Sequence, residues 1–419
     1  MKIFKNYHSN YTRNSFAVAM AAALLWGCAT PSADPQQAST PPVPPPPVQP
    51  IPFDEAFSKA ANDLFSHTQL PTTSDGKSTK YALVIDPLVD GVSGEQSAAT
   101  HTMEARLIEL IKNQYPQYAV EPFSPASVAK SPIVLVGTFT GVNKEGKTEG
   151  TREAFRICLA LADLKSGKIL SKGVARALPN GVNITPTTYF KDSPTWTTDQ
   201  AMESYIKTCQ GTKPGDAINP IYADRILTAA MISGAIDAYN DRQYQKALDM
   251  YQSAFQLPGG EQLRVYNGLY LTNWKLGRRS DATQAFGKIV DYGLNNKRLA
   301  IKFLFKPGST DFWTDQRVTG PYPLWLQQIA THTTQHEECL EIVGHTSRTG
   351  PEPINERLSL LRAERIQKKL EYDEPSLKAR TIANGVGSKE NLIGTATDDA
   401  RDALDRRVEF KVVNCRVPG

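Results

Sequence analysis

The segment GHTSRTGPEPINERLSLLRA, residues 344–363, places a loop bounded by two glycines directly before a strongly helical run. Within that run Asn355, Ser359 and Arg362 recur at i, i+4 and i+7, so they share one stripe of the predicted helix beside the loop. A guanidinium can hold a carboxylate through two parallel hydrogen bonds, while an asparagine side chain and loop amides satisfy its other oxygens. The segment therefore predicts a loop-and-helix site for an acidic ligand.

The apolar residues of the same run predict a buried stripe next to the polar one, because they recur at intervals of three, four and five residues. They are Ile354, Leu358, Leu361, Ile366 and Leu370. The runs LEIVGHT (residues 340–346) and VEFKVVN (residues 408–414) are strand-like. We therefore expect a helix whose apolar stripe faces the core and whose polar stripe borders the site.

Four separated motifs surround this helix, in the order IKFLFKPGSTDF (301–312), CLEIVGHTSRTG (339–350), INERLSLLRAERI (354–366) and LDRRVEFKV (404–412). Together they resemble the OmpA-like peptidoglycan-binding domain over about 120 residues, in that family's order and spacing. The resemblance implies a C-terminal βαβαβ domain, residues 298–419, that holds the free end of diaminopimelate in wall peptides. The site residues it implies are Gly344, His345, Thr346, Ser347, Asn355, Leu358, Ser359, Arg362, Arg406 and Arg407.

The main departure from the family pattern is at Ser347, which stands where the family has an aspartate that meets the ligand ammonium. Losing a charge-assisted bond costs on the order of 1 to 3 kcal/mol, or roughly ten- to a hundredfold in affinity. Three alternatives stay open. The site binds more weakly, with Glu352 or Asp398 supplying the missing charge; it takes a ligand that lacks the ammonium; or the fold serves only to dock a protein.

Two further details of the site follow from the last motif. Arg406 and Arg407 are adjacent in a predicted strand and therefore point to opposite faces, one of them toward the site. Asp405 precedes them where the family has asparagine. His345 belongs to the family's Gly-His-Thr, and we interpret it as a structural hydrogen-bonding residue and not as a catalytic base.

The N-terminus predicts export. Lys2, Lys5 and Arg13 precede an apolar run, residues 16–26, that is too short for a stable membrane anchor. The run ends in Leu-Trp-Gly-Cys, which resembles a bacterial lipobox and implies cleavage after residue 27 and lipidation of Cys28 in the outer membrane. Residues 28–52 contain PPVPPPPVQPIP, which predicts an extended polyproline spacer.

The four remaining cysteines are an even number in a compartment where disulfides persist. Cys339 begins one strand-like run and Cys415 follows another, so antiparallel neighbours would bring them together. We therefore expect the pairs Cys339–Cys415 and Cys158–Cys209.

Residues 53–216 have a mixed α/β pattern, with strand-like runs YALVIDPL, PIVLVGTF and a hairpin around residues 165–168. This order resembles, at the level of pattern, the periplasmic domains of CsgG-, LpoB- and FlgO-like lipoproteins, which implies that it binds envelope proteins. Residues 141–148 match the phosphate-loop spelling GxxxxGK[ST], yet a strand-like run and no helix follows, so we interpret them as a polar turn.

Residues 217–297 are helical and repetitive. The segments AYNDRQYQKALDMYQSAFQLP and NWKLGRRSDATQAFGKIVDYG align with a period of 35 residues and resemble two tetratricopeptide (TPR) repeats. Such a short pair either docks on a neighbouring domain or offers a concave surface to a protein partner.

The composition excludes several function classes. The formal net charge of +4 is small for 419 residues, and no Lys/Arg-rich run predicts nucleic-acid binding. His332 and His336 lie four apart, but no third ligand is spaced to complete a metal site, and no residue set specifies a hydrolase or a cofactor.

The sequence thus predicts a multidomain α+β, non-catalytic outer-membrane lipoprotein that tethers the envelope to peptidoglycan and scaffolds protein partners. The alternative is a ring or scaffold subunit of an envelope-spanning secretion or motility machine.

Overall fold

The structure is a computed structural model that describes residues 49–70, 80–148, 150–391 and 405–415. All of these belong to one compact unit, Pro47–Gly419. The predicted signal peptide, Cys28 and most of the proline-rich spacer lie outside the described residues. No helix among the described residues is both long and apolar enough to cross a lipid bilayer.

The N-terminal part is a five-stranded mixed sheet with helices on both faces. Its elements are α1 (Phe53–Ser66), β1 (Tyr81–Ile85), α2 (Ala98–Gln114), β2 (Tyr118–Glu121), α3 (Pro125–Val128), β3 (Ile133–Val142), β4 (Ala154–Asp163), β5 (Lys168–Ala177), α4 (Thr188–Asp192) and α5 (Gln200–Gln210). The strand order is β2-β1-β3-β4-β5; β1 runs parallel to β2 and β3, while β3, β4 and β5 are antiparallel. The central strand β3 reads as an unbroken apolar run because it is buried throughout.

The two turns of this sheet agree with the sequence interpretation. Residues 143–146, inside the phosphate-loop spelling, form a turn at the start of the connection from β3 to β4, where the Asn143 side chain accepts a hydrogen bond from the Lys147 amide at 2.8 Å. The hairpin between β4 and β5 is closed by the Asp163 carboxylate, which accepts from the amides of Lys165 and Ser166, and by Gly167 at φ 69°.

Four consecutive helices follow, α6 (Pro220–Asn240), α7 (Tyr244–Phe255), α8 (Leu263–Lys275) and α9 (Arg279–Asn295), and each packs on the next. Ala247 and Ala282, which lie one 35-residue period apart, are fully buried between them, and their small side chains let the helices approach closely. Gly268 of α8 faces the ring of Tyr251, where a Cβ atom would lie 2.3 Å from the ring.

The C-terminal part contains α10 (Gln316–Thr319), α11 (Tyr322–Gln335), β6 (Cys339–Gly344), α12 (Glu352–Asp373), a 3-10 turn (Pro375–Ala379), β7 (Thr381–Gly385) and β8 (Val408–Val413). Its sheet has the order β7-β6-β8, with β6 parallel to β7 and antiparallel to β8. Leu299 adds a single bridge to Phe410 of β8.

One hydrophobic core runs through the helices α6–α9 and the C-terminal sheet. The rings of Phe286 on α9 and Trp325 on α11 stack with centroids 5.5 Å apart, and Trp325 Nε1 donates to Tyr270 Oη at 2.8 Å. A buried ion pair, Lys302 to Glu95 at 2.8 Å, joins the C-terminal part to the N-terminal one. The helices therefore dock on the C-terminal segment, the first of the two alternatives that the sequence left open.

Both predicted disulfides are present. Cys158 of β4 is bonded to Cys209 of α5, with 6.2 Å between the Cα atoms, so this bond fastens a helix to one face of the N-terminal sheet. Cys339, the first residue of β6, is bonded to Cys415 just after β8, with 5.2 Å between the Cα atoms. The antiparallel pairing of β6 and β8 brings this second pair together, as expected.

Candidate functional site

Two glycines bring α12 onto the sheet. A Cβ atom at Gly344, the last residue of β6, would lie 1.9 Å from the carbonyl oxygen of Ser359, and one at Gly385 would lie 2.3 Å from the amide nitrogen of Leu360. The Ser359 hydroxyl oxygen accepts from the Gly387 amide at 3.0 Å. The N-terminal half of α12 thus rests directly on β6 and β7, where only a small side chain such as that of Ser359 fits.

This close approach overturns the expected orientation of α12. The buried stripe is Asn355, Ser359, Arg362, Ala363, Ile366 and Leu370. Ile354, which the apolar periodicity placed in the core, is 63% exposed, and Leu358 and Leu361 are only half-buried. The polar stripe can face inward because backbone groups of neighbouring loops form hydrogen bonds with its side chains. The predicted burial of apolar residues holds in the C-terminal half of the helix, at Ile366 and Leu370.

Arg362 lies fully buried where three segments meet. Its guanidinium donates to the carbonyl oxygens of Ser309 at 3.0 Å, Lys306 at 2.9 Å and His345 at 3.2 Å. It also lies over the ring of Phe305, 5.2 Å from the centroid. Arg362 therefore fixes the loop at residues 306–309 against the turn that begins at Gly344.

The turn after β6 is held by backbone hydrogen bonds. The His345 amide donates to the Arg407 carbonyl and the Thr346 amide donates to the Gly387 carbonyl, each at 2.9 Å. Asn391 Nδ2 donates to the Thr346 carbonyl at 2.8 Å. The structure thus brings together most of the predicted site, in which the following residues are at most 5% exposed: His345, Thr346, Ser347, Asn355, Ser359, Arg362, Arg406 and Arg407.

The two predicted arginines diverge, as expected for neighbours, although they lie just before β8 and not in it. Arg406 lies on the Arg362 side, where its Nε donates to the Phe305 carbonyl at 3.4 Å. Arg407 lies on the other side, with its Nε donating to Glu409 at 2.6 Å and its guanidinium 4.9 Å from the centroid of Trp196. Arg406 is therefore the one that shares the surroundings of Arg362.

The ring of His345 is buried between two carboxylates. Nε2 lies 3.4 Å from Glu409 and Nδ1 lies 4.0 Å from Glu390. Burial lowers the pKa of His345 well below its usual value, and the charges of Arg407 and Lys411 lower it further. Glu409 is already neutralised by Arg407, so the ring is neutral near pH 7. His345 acts in the turn through its backbone, and its ring nitrogens make no hydrogen bond to the described residues.

Of the two carboxylates considered as substitutes for the missing aspartate, Glu352 is engaged elsewhere. It accepts hydrogen bonds from the Ser388 amide, at 3.0 Å, and from the Ser388 hydroxyl. Asp398 lies outside the described residues. The structure also adds residues that the sequence did not assign to the site: the loop carbonyls at Lys306 and Ser309, and the side chains of Glu409 and Asn391. The loop and Glu409 carry a sequence signal, since they fall inside the motifs IKFLFKPGSTDF and LDRRVEFKV, whereas Asn391 lies outside all four motifs.

His332 and His336 both contact Asp291 of α9, at 2.6 Å and 2.9 Å, and so connect α11 with α9. Within the described ranges, no group of three or more His, Cys, Asp or Glu residues is arranged to hold a metal ion.

Comparison with known proteins bears on the C-terminal part. Residues 304–404 match the OmpA family, so this part of the chain contains an OmpA-family domain. Similar solved structures include the peptidoglycan-associated lipoprotein from Burkholderia pseudomallei, at 25% identity over 28% of this chain and 92% of that chain, with a TM-score of 0.23. The cell wall anchor of the type VI secretion system from Pseudomonas aeruginosa is 21% identical over 30% of this chain and 95% of that chain, with a TM-score of 0.23. A MotB-like protein from Desulfovibrio vulgaris is 18% identical over 31% of this chain and 94% of that chain, with a TM-score of 0.23. No curated protein matches the chain.

Proposed function

We propose that the chain is a non-catalytic lipoprotein of the outer membrane that binds peptidoglycan through its C-terminal domain and brings protein partners to the wall. The observation that carries this proposal is the OmpA-family match over residues 304–404. The match includes both the turn at Gly344 and Arg362, which hydrogen bonds join in the structure.

In this proposal Arg362 supports the ligand site by organising the loops that frame it. Its hydrogen bonds to Lys306, Ser309 and His345 hold three backbone segments at fixed positions. Backbone amides and the guanidinium charge then favour an acidic group of the wall peptide. Ser347 offers a neutral hydroxyl in place of a carboxylate, so its interaction with the ammonium of the same ligand is weaker. The affinity for the wall peptide is therefore modest.

The rest of the chain has supporting roles. Lipidated Cys28 anchors the protein, and the proline-rich residues up to about 52 act as a spacer between membrane and folded unit. The helices α6–α9 are a TPR-like pair, and the N-terminal sheet domain is related to the CsgG-, LpoB- and FlgO-like type. Both would contact envelope proteins in the periplasm.

A second candidate function is protein docking by the C-terminal domain in an envelope-spanning secretion or motility machine. One observation favours it: Ser347 is only 5% exposed and Arg362 is fully buried, so a wall peptide would reach either side chain only after a local opening. In that case the outer surface of the C-terminal domain would bind a protein partner.

Sedimentation of the full chain with purified sacculi tests the proposal. We expect the protein to pellet with sacculi and Arg362→Ala to stay in the supernatant, because the loops lose their common anchor. Arg357→Ala, an exposed arginine on the same helix, is the matched control and should pellet like the parent. Circular dichroism melting must show that Arg362→Ala is folded. A parent protein that stays in the supernatant would favour the docking function.

A further inference from the structure

A small cleft lies in the N-terminal part beside the C-terminal domain, since Arg407 lies over the ring of Trp196 and Arg348 donates to the Thr151 hydroxyl. It is bordered by residues 90–97, by the hairpin between β3 and β4, and by Trp196. Its apolar floor contains Phe139 and Phe155, whose rings stack with centroids 4.4 Å apart. The cleft volume is about 60 Å³, several times the roughly 10–15 Å³ that one water molecule needs. It therefore has room for a small organic molecule.

Two residues that line the cleft, Arg152 and Trp196, each have one enclosed side-chain donor without a partner. Arg152 Nε and Trp196 Nε1 are buried and make no hydrogen bond within the part of the chain that the structure describes. Arg152 also forms no ion pair with any described residue, although its charged side chain is half-buried. Leaving a buried donor unsatisfied costs about 1–3 kcal/mol, and more when the group is charged. A negatively charged group beside the terminal nitrogens of Arg152 would offset the cost of burying its charge.

The same cleft contains an acid that does not pair with Arg152. Asp90 accepts hydrogen bonds from the Val92 amide at 2.9 Å and the Ser93 amide at 2.8 Å, both through Oδ1. The other acid on the wall, Glu95, is neutralised by Lys302. The lining thus presents one base and one acid that have no charged partner among the described residues, above an apolar floor.

We propose that this cleft binds a free α-amino acid with a small apolar side chain. The carboxylate would accept from the terminal nitrogens of Arg152, the ammonium would donate to Asp90, and the side chain would lie on Phe139 and Phe155. A zwitterion satisfies both charges at once, whereas a simple carboxylate would leave Asp90 facing a like charge. The proposal does not depend on the wall-binding function.

Ligand-observed NMR titration of the full chain with L-valine and D-valine tests this site. We expect saturable binding of at least one enantiomer, with roughly tenfold or greater weakening for N-acetylvaline, which lacks the ammonium, and for valinamide, which lacks the carboxylate. No saturation by either enantiomer up to about 10 mM would overturn the proposal, and so would equal binding of valine and either derivative.

Variants of the full chain locate the binding. Arg152→Gln and Asp90→Asn should each weaken valine binding about tenfold. Asp90→Asn keeps an acceptor for the amides of Val92 and Ser93, so the turn is preserved. Lys147→Gln, an exposed cation on the same hairpin, is the matched control and should bind like the parent. Unchanged binding in both Arg152→Gln and Asp90→Asn would overturn the assignment to this cleft.

Discussion

At Ser347 the C-terminal site lacks the carboxylate of the family pattern, and the effect of restoring that negative charge can be tested directly. It lies in the turn after β6, two residues after His345, whose carbonyl oxygen accepts a hydrogen bond from the buried Arg362 guanidinium. We expect Ser347→Asp to strengthen sacculus binding by roughly ten- to a hundredfold, because it restores a carboxylate for the ligand ammonium. The measurement is a binding isotherm from sedimentation. Ser347→Asn has nearly the same shape without the charge, and an equal gain in this variant would contradict the electrostatic explanation.

Asp86 gives a prediction about pH. It follows β1, is 5% exposed, and accepts from Tyr222 Oη at 2.7 Å. Burial raises the pKa of Asp86 from 3.8 to about 7, and the Tyr222 hydrogen bond and Arg264 oppose the shift only in part. Because the folded state binds the proton more tightly than the unfolded state, the stability from this group is complete below pH 3.8 and is lost as pH rises toward 7.

We therefore expect the free energy of unfolding to fall by about 3 kcal/mol more in the parent than in Asp86→Asn between pH 5 and pH 8. Urea unfolding at the two pH values measures the difference. Burial raises the pKa of the nearby Glu104 to about 8. Glu104 is present in both proteins, so its contribution to the pH dependence largely cancels in the comparison. Identical pH dependence of parent and variant would show that Asp86 is ionised in the folded protein.

At this scale the sequence predicted which residues meet in the site but not their surroundings. Asn355, Ser359 and Arg362 share one stripe, and the turn at Gly344 lies beside them, as the spacing predicts. That Arg362 donates to backbone carbonyls could not be derived, since two of those carbonyls come from a loop 53 and 56 positions away. Such contacts depend on the tertiary fold, which a local pattern does not specify.

Among the secondary-structure elements, α12 shows how a close approach overrides apolar periodicity. The helix was expected to bury Ile354 and Leu358, yet its N-terminal half buries Asn355 and Ser359. The reason is the space at Gly344 and Gly385, which admits backbone and a serine but no leucine. By contrast, strands β6 and β8 were predictable from their apolar runs, and their antiparallel pairing predicted the disulfide at their ends.

The two disulfides differ in accessibility, which predicts their order of reduction. Cys415 is exposed at the end of β8, whereas Cys158 and Cys209 are 2% and 0% exposed between β4 and α5. Thiol exchange requires access to sulfur, so we expect a mild reductant to open Cys339–Cys415 first. Alkylation of the native protein followed by peptide mass spectrometry identifies the first thiols to appear. Prior or simultaneous labelling of Cys158 and Cys209 would contradict the prediction.

For the whole molecule, the sequence pattern, the repeat period and the family resemblance divided the chain into an α/β part, a repeat part and an OmpA-like part. The structure has hydrophobic cores that run across these limits. Tyr222, Ile226 and Ala230 of α6 pack on the N-terminal sheet, and Phe286 of α9 packs on Trp325. A repeat pattern identifies Phe286 as buried but does not state whether it faces another repeat or a different part of the chain.

This continuity predicts cooperative unfolding, with Trp325 as the test. Trp325 is 5% exposed, contacts Phe286 and Tyr270, and lies within 5.9 Å of Phe303 between ring centroids. We expect Trp325→Ala to reduce the free energy of unfolding by about 3–5 kcal/mol. Far-UV circular dichroism reports on the helices, and thiol labelling of the buried Cys339 in reduced protein reports on the C-terminal sheet.

Because one core serves α9, α11 and the C-terminal sheet, both probes should report the same transition in the parent and shift together in the variant. Gln327→Ala, an exposed position on α11, is the control and should change neither. Two separate transitions, only one of them moved by Trp325→Ala, would mean that the helices α6–α9 and the OmpA-family domain fold independently. The contact between α9 and α11 would then be a docking surface between autonomous parts.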